Sequence, residues 1–201
     1  MLKKISSVLI GLLFSFCVWA AQSPDQITRM VTDDLFAQLK ADQAAIKTDS
    51  SRLVAIVNST IMPHTDLQET SKRVLAKHWR DLTPAQQQEF QTEFEKLLIR
   101  TYAVSFRSYD KQVVDIVETR ENPNNPNMVE VRTVIKEPGK PNLPVNYRFL
   151  KEADGTWKVY DINVENVSLV SSFRNQIGDA ISRDGFDGMM ANMRAKNQEK
   201  F

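Results

Sequence analysis

The side chains that could bind a transition metal are few and lie far apart in the sequence. The two histidines, His64 and His78, are separated by a predicted helix, and no HExxH motif or cysteine pair accompanies them. Transition-metal sites need several such ligands at suitable spacing. We therefore expect no metal site, and we assign both histidines to surface or helix-capping positions.

The segment DGFDG, residues 184–188, combines acids with glycines and invites comparison with a calcium-binding loop. Asp184 and Asp187 are three positions apart, whereas the acids of an EF-hand loop alternate along the chain. The segment is better explained as a glycine-containing break between two helices, with an acid near the start of the second. The carboxylates Glu93 and Glu95 are expected on an exposed helix face, where they solvate the surface.

Motifs for nucleophilic catalysis and phosphate binding are also missing from the sequence. There is no GxSxG elbow, no glycine-rich phosphate loop and no Walker lysine, since the glycines after residue 20 are isolated or occur in turns. A hydrolase would also need a histidine near a serine- or aspartate-bearing turn, and neither histidine has one. The sequence therefore predicts a protein that is not an enzyme and has no cofactor.

Residues 1–20 have the composition of a cleavable export signal. Lys3 and Lys4 precede the apolar stretch Ile5–Val18, and the segment ends with Val18 and Ala20 as small-enough residues at the two positions that a signal peptidase reads. We place the cleavage after Ala20, which predicts a periplasmic protein. The remaining residues suit a single globular domain with a sizeable core.

Two other interpretations of the first segment are weaker. An uncleaved membrane anchor needs about 20 apolar residues, and this run is shorter. A lipoprotein signal needs a small residue before Cys17, where the chain has Phe16. Cleavage removes this only cysteine, so the domain of residues 21–201 can form no disulfide. It then has 24 basic residues (26 minus 2) against 25 acidic ones, a net charge of −1 that does not indicate nucleic-acid binding.

The first half of this domain has the apolar spacing of amphipathic helices. Helices are predicted over Asp25–Leu39, over Leu53–Ile61 and over Leu67–Trp79. The clearest helix begins at the sequence TPAQ, where Thr83 is the predicted N-cap of a capping box. One face of that helix carries an apolar and aromatic stripe: Phe90, Phe94, Leu97, Leu98, Tyr102, Phe106 and Tyr109.

The period of apolar residues changes to two after residue 110. Strands are predicted over Val113–Val117, Val129–Ile135, Val145–Phe149 and the segment 157–164, with a hairpin turn at Asp154 and Gly155. Short connections favour antiparallel pairing. The predicted fold is α+β: a four-stranded curved meander packed with N-terminal and C-terminal helices.

The last of these strands is unusual because its apolar residues do not all fall on one face. Trp157 and Val159 fall on one face of a regular strand, and Tyr160, Ile162 and Val164 on the other. We interpret this as apolar packing on both faces. A large apolar interior without catalytic groups suits an apolar ligand, although a filled core, as in a structural or adaptor protein, has the same composition.

Two long segments resemble the MlaC family, also called the toluene-tolerance proteins. They are AKHWRDLTPAQQQEFQTEFEKLLIRTYAVSF, residues 76–106, and GTWKVYDINVENVSLVSSFRNQIGDAISRDGFDGMMANM, residues 155–193. The resemblance covers nearly all of the chain after residue 20. It implies a soluble periplasmic carrier that shuttles phospholipid between the outer membrane and an inner-membrane ABC transporter and so maintains outer-membrane lipid asymmetry.

The resemblance also implies cargo, partners and site residues. The cargo is a diacyl phospholipid held by its tails in an apolar cavity between sheet and helices. The partners are an outer-membrane lipoprotein–porin complex and the transporter with its periplasmic lipid-binding subunit. Family pocket valines correspond to Val145 and Val167. Pattern alone adds further lipid-binding candidates: Tyr147, Phe149, Tyr160, Ile162, Val164, Leu169 and Phe173 from the C-terminal half, and Leu98, Tyr102 and Phe106 from the stripe.

Overall fold

The computed structural model describes residues 22–103, 105–106 and 111–199. The predicted export signal lies outside the described residues. The helices in this part of the chain are α1 (Pro24–Ala41), α2 (Gln43–Thr48), α3 (Ser50–Thr60), α4 (Leu67–Leu75), α5 (Pro84–Ala103) and α6 (Leu169–Gln198). The strands are β1 (Val113–Asn122), β2 (Asn125–Lys136), β3 (Leu143–Lys151), β4 (Trp157–Val164) and β5 (Val167–Ser168), and 3₁₀ helices cover Met62–His64 and Ala76–Asp81.

The start of α5 confirms the predicted capping box. The Thr83 amide donates to Gln86 Oε1 at 3.0 Å, and the Gln86 amide donates to Thr83 Oγ1 at 3.3 Å. These bonds satisfy amides that have no partner inside the helix. The α-helix ends at Ala103, so Phe106 lies beyond it, and Tyr109 is outside the described residues.

The predicted helix over Leu67–Trp79 is shorter in the structure. The α-helix stops at Leu75 because Ala76 adopts φ 49° and ψ −116°, a conformation that L-residues rarely adopt. The chain then continues as the 3₁₀ helix Ala76–Asp81. Trp79 packs against the helical core from this second segment.

The sheet is an antiparallel meander with the strand order β1-β2-β3-β4-β5. This confirms the predicted fold class. The four expected strands are present, and the short β5 adds a fifth strand beside β4. The turn at Asp154 and Gly155 joins β3 to β4, and Gly155 has φ 88° there.

Strand β4 contains a β-bulge that corrects the two-faced interpretation of its apolar residues. Arg148 pairs with Asp161 but the next residue of β3, Phe149, pairs with Val159, so Tyr160 is an extra residue. An extra residue reverses the alternation of side chains along the strand. The apolar residues on either side of the bulge therefore share one face of the sheet: Trp157, Val159, Ile162 and Val164.

The edge of β4 is covered along much of its length. Thr65 forms a parallel bridge with Val159, and the Asp66 amide donates to the Val159 carbonyl at 2.8 Å. Thr70 Oγ1, from α4, donates to the Tyr160 carbonyl at 2.9 Å. Because the bulge exposes backbone groups, these contacts join the sheet to the helical half where pairing is interrupted.

Asp161 connects the sheet to helix α6. Its side chain is 2% exposed and accepts hydrogen bonds from the Val170 amide at 3.0 Å, from Ser168 Oγ at 2.7 Å and from Arg148 Nη1 at 3.1 Å. The Val170 amide belongs to the first turn of α6, which has no intrahelical partner for it. The negative charge of a buried carboxylate is tolerated only while its hydrogen-bond donors remain in place.

The helices form two apolar cores beyond the sheet. One core joins α4, α5 and α6 and contains Phe90, Phe94 and Phe173, with the Phe94 and Phe173 rings 5.2 Å apart at an interplanar angle of 86°. The other joins α1, α2, α3 and α5. Within α6, Gly185 has φ 70° and ψ 173°, which divides the helix at the predicted DGFDG break.

We expect Asp161→Asn to lower the free energy of unfolding by about 2–3 kcal/mol, because one carboxylate oxygen loses its role as acceptor for charged and backbone donors. Urea unfolding of purified protein measures this. Asp115→Asn is the matched control, since that carboxylate is 48% exposed and pairs with Lys136 at the surface. Equal effects of the two substitutions would contradict the role assigned to Asp161.

Candidate apolar binding face

The inner face of the sheet is the apolar surface that the bulge assembles. Cross-strand pairs place Val131 opposite Tyr147, and Tyr147 opposite Ile162. Alternate positions along the same three strands complete the face. Its central members are Val129, Val131, Thr133, Val145, Tyr147, Phe149, Val159, Ile162 and Val164.

Helix α1 covers one part of this inner face. Ile27 is buried against Val129, Val131 and Phe149, and Val31 packs on the edge of the same group. Packing of N-terminal helices on the sheet was predicted, but the sequence did not identify the α1 residues that make this contact. Neither α1 residue was a site candidate, although the alternating valines of β2 could have suggested that strand as part of the face.

The other part of the inner face is packed differently. Val145, Ile162 and Val164 belong to none of the three apolar clusters that the described residues form. Val145 is buried, whereas Ile162 and Val164 are half-buried. These residues lie next to one another through the pairing of β3 with β4, so they form a continuous apolar area beside the part covered by α1.

Tyr147 lies between these two parts, at the middle of the central strand. Burial raises the pKa of Tyr147 to about 12, and the Thr133 hydroxyl beside it opposes that rise. The side chain nevertheless keeps an intermediate exposure. Tyr147 also packs against the apolar cluster that α1 covers, so it connects the two parts of the face.

Thr133 shows how the inner face satisfies a buried polar group. Its side chain is 1% exposed, and Oγ1 donates to the Val145 carbonyl across the strands at 2.6 Å. The hydroxyl therefore adds no unpaired polar atom to the face. The area around it retains apolar character.

The opposite face of the sheet carries a network of ion pairs. Glu130 accepts from Arg132 Nε at 2.9 Å and from Arg148 Nε at 3.2 Å, and Arg148 also contacts Asp161. Burial acts to raise the pKa of Glu130, but the hydrogen bonds from the two arginines outweigh it and lower the pKa. The two faces of the sheet therefore differ strongly in polarity.

The predicted lipid-binding residues divide into separate groups in the structure. The inner face includes Val145, Tyr147, Phe149, Ile162 and Val164. The helical core of α4, α5 and α6 includes Leu98, Tyr102 and Phe173, while Phe106 packs against the other helical core.

Three predicted residues lie apart from these groups. Tyr160 is the extra residue of the bulge, with the guanidinium of Arg73 4.3 Å from its ring centroid. Val167 is 57% exposed in β5, and Leu169 is half-buried at the start of α6. Their part in binding stays a prediction.

Two clefts lined by described residues lie away from the inner-face residues that α1 leaves uncovered. The larger, of about 510 Å³, lies between α3, α5 and the end of α6, with Val54 and Ile99 among its lining residues. The smaller, of about 320 Å³, adjoins His64 and Trp157. Burial, and then the positive charge of Lys158, lower the pKa of His64.

The described residues contain no group of three or more histidine, cysteine or acidic side chains placed to hold a metal ion. Every helix in the described ranges is too short or too polar to span a bilayer.

Comparisons with known proteins agree on one family. A family model described as MlaC protein matches residues 29–195. The chain is 27% identical to the intermembrane phospholipid transport system binding protein MlaC of Haemophilus influenzae, over 96% of this chain and 92% of that protein. It is also 27% identical to the toluene tolerance protein ttg2D of Pseudomonas putida, over 87% of this chain and 80% of the relative.

A solved structure has the same fold. It is the phospholipid-binding protein of Ralstonia solanacearum in complex with a phospholipid. The TM-score is 0.77 at 31% sequence identity, and the match covers 85% of this chain and 94% of that chain.

The alkaline stability of the protein tests the environment of Tyr147. The folded pKa of about 12 lies above the ordinary value of 10.0, so only the unfolded chain releases this proton as the pH rises past 10. The free energy of unfolding therefore falls with pH, by about 1 kcal/mol between pH 10 and 11 from this group.

Tyr147→Phe removes this contribution, so its unfolding free energy should fall less steeply than that of the unchanged protein over the same pH interval. Urea unfolding at several alkaline pH values measures the difference. Parallel curves for the two proteins would show that Tyr147 is not desolvated.

Proposed function

The chain belongs to the MlaC family, and from that premise we propose that it is a periplasmic phospholipid carrier. It moves lipid between the outer membrane and an inner-membrane ABC transporter and thereby maintains the lipid asymmetry of the outer membrane. Its cargo is a diacyl phospholipid, and it needs no cofactor and catalyses no reaction. The names of the two relatives and the phospholipid bound to the Ralstonia protein support this proposal.

The single observation that carries the proposal is the incompletely packed part of the inner face. Val145, Ile162 and Val164 lie outside the apolar clusters of the described residues, and Ile162 and Val164 are only half-buried. A close-packed core leaves few such side chains accessible. Apolar side chains that are left outside the packed clusters suit contact with acyl tails.

The energetics of tail transfer favour a shuttle. Each methylene removed from water contributes about 0.8 kcal/mol, so two long tails cannot cross an aqueous compartment unprotected. Transfer of the same tails from a bilayer to an apolar protein interior is close to neutral, since lipid tails are as apolar as leucine side chains. Release therefore depends on the membrane partners, and the carrier itself needs no source of energy.

The proposed partners are the membrane complexes that would load and unload the carrier. One is an outer-membrane lipoprotein–porin complex, and the other is the inner-membrane transporter with its periplasmic lipid-binding subunit. Export by a signal of residues 1–20 would place residues 21–201 between them as a single lipid-binding domain. The alternative is a structural or adaptor protein with a filled core, which would bind no lipid.

We expect Val145→Asp to lower phospholipid loading strongly while leaving a folded protein. A carboxylate at this position enters the space proposed for the tails, where an unpaired charge costs several kcal/mol or is neutralised by protonation. Loading from phospholipid vesicles, followed by extraction and mass spectrometry, gives the lipid content. Circular dichroism and thermal unfolding give the fold.

Val74→Asp is the matched control for that experiment. Val74 is 1% exposed in the helical core. The same substitution there should therefore unfold the protein, whereas Val145→Asp should leave a folded protein without lipid. A folded Val145→Asp protein with full lipid content would exclude Val145 from the binding face. Unfolding of both variants alike would favour the filled-core alternative.

Val167 offers a separate test because it is 57% exposed in β5. A charge at so exposed a position should change the free energy of unfolding by less than about 0.5 kcal/mol. If a tail extends to Val167, as the family resemblance implies, Val167→Asp lowers lipid loading at unchanged stability. Unchanged loading would remove Val167 from the site.

A further inference from the structure

Four exposed cations lie on the segments around the end of α4. Lys72 is in the last turn of α4, Lys77 and Arg80 are in the 3₁₀ helix that follows, and Arg174 is in α6. We call these four residues the basic surface. They belong neither to the sheet nor to the helical residues proposed to contact lipid.

The geometry of the 3₁₀ helix places Lys77 and Arg80 side by side. Side chains three residues apart are eclipsed in a 3₁₀ helix, so these two cations share one side. Trp79 is fixed against the helical core, which orients the segment. Asp81 shares its side with His78 and not with the two cations, so the acid within the segment points away from the pair.

Arg174 is held against the end of α4 by a contact between helices. Its Nε donates to the Arg73 carbonyl at 2.8 Å, near the C-terminal end of α4, where the helix dipole favours a positive charge. On α4, Glu69 accepts from Arg73 at 2.8 Å and lies 3.6 Å from Lys72. The nearby acid is therefore shared between two cations.

The backbone at Ala76 is an independent sign that this arrangement serves a function. Its φ of 49° with ψ −116° is strained for a residue with a Cβ, and it sets the direction of the 3₁₀ helix relative to α4. Glycine at this position would have removed the strain. Strained backbone of this kind is concentrated at functional sites in proteins.

We propose that the basic surface is the docking site for an acidic face of a protein partner, and that it steers the carrier to one of its membrane complexes. This rests on the carrier function proposed above. The domain of residues 21–201 has a net charge near zero, so a local cluster of this kind acts on association and orientation more than on solubility.

The chemistry of the surface favours a protein partner over a lipid surface. Peripheral membrane-binding segments insert apolar side chains beside their cations. The large exposed apolar residues in the described part of the chain are Met30, Val113, Val117 and Val167, and none of them lies in α4, the adjoining 3₁₀ helix or α6. The basic surface thus presents charge without an element that would enter a bilayer.

The test is a double charge reversal, Lys77→Glu with Arg80→Glu, studied in the full protein. Its binding is measured against the purified transporter complex, the purified lipoprotein–porin complex and vesicles of phosphatidylethanolamine and phosphatidylglycerol. We expect the association rate with at least one complex to fall by about tenfold or more at low salt, with the difference shrinking as salt increases.

Two controls separate local docking from overall charge. Lys40→Glu with Lys47→Glu makes the same change in net charge at exposed positions of α1 and α2 and should stay within about twofold of the unchanged protein. Lys77→Arg with Arg80→Lys keeps the charge, and its association rate should also stay within about twofold of that of the unchanged protein. Lipid content is measured on the same samples and should not change in any variant.

Unchanged binding of the reversed variant to both complexes would overturn the proposal, and so would a loss confined to the vesicles. A reversed variant that loads lipid normally and binds normally would refute the docking site and leave the carrier function intact. Failure of the unchanged protein to hold lipid would count against the carrier function itself. Failure of the unchanged protein to bind either complex would count against both.

Discussion

The extra residue in strand β4 determines how the two halves of the molecule are joined. With Tyr160 accommodated in a bulge, Trp157 and Val159 lie on the same face as Ile162 and Val164. Without it, half of these side chains would face the ion pairs on the other side of the sheet. The bulge also interrupts the free edge of β4, where Thr65 and α4 attach. One local irregularity therefore sets both the polarity of the sheet and its junction with the helices.

The two faces of the sheet have different roles: the polar face holds helix α6, and the apolar face is available for binding. Asp161, next to the bulge, uses its buried carboxylate to hold Arg148 and the first turn of α6. This polar network gives the sheet a rigid outer side. The inner side then does not need to be filled completely for the domain to be stable, because α1 and the helical cores supply separate apolar burial. A stable fold with an incompletely filled face is what a carrier of apolar cargo requires.

Features that depend on a few neighbouring residues could be predicted from the sequence. The capping box at Thr83, the meander and the break at Gly185 follow from short-range backbone preferences, and the structure contains each of them. The bulge has no comparable signature, since any regular strand would place Tyr160 with Ile162. The end of α4 at Ala76 was also missed, because a positive φ runs against the backbone preference of alanine.

The same distinction applies to the candidate site. Val145, Tyr147 and Phe149 alternate within one strand, so their common face could be predicted from spacing. The separation of Tyr160 from them depended on the bulge. The covering of Val131 and Phe149 by Ile27 of α1 joins residues more than a hundred positions apart, and only tertiary packing decides it.

The central claim is that the inner face holds phospholipid, and the lipid content of the purified protein tests it most directly. Organic extraction followed by mass spectrometry and phosphate determination identifies and counts the bound molecules. The carrier function predicts diacyl phospholipid in near-stoichiometric amount, either after purification or after incubation with phospholipid vesicles. Folded protein that contains no phospholipid and takes up none from vesicles would contradict the claim.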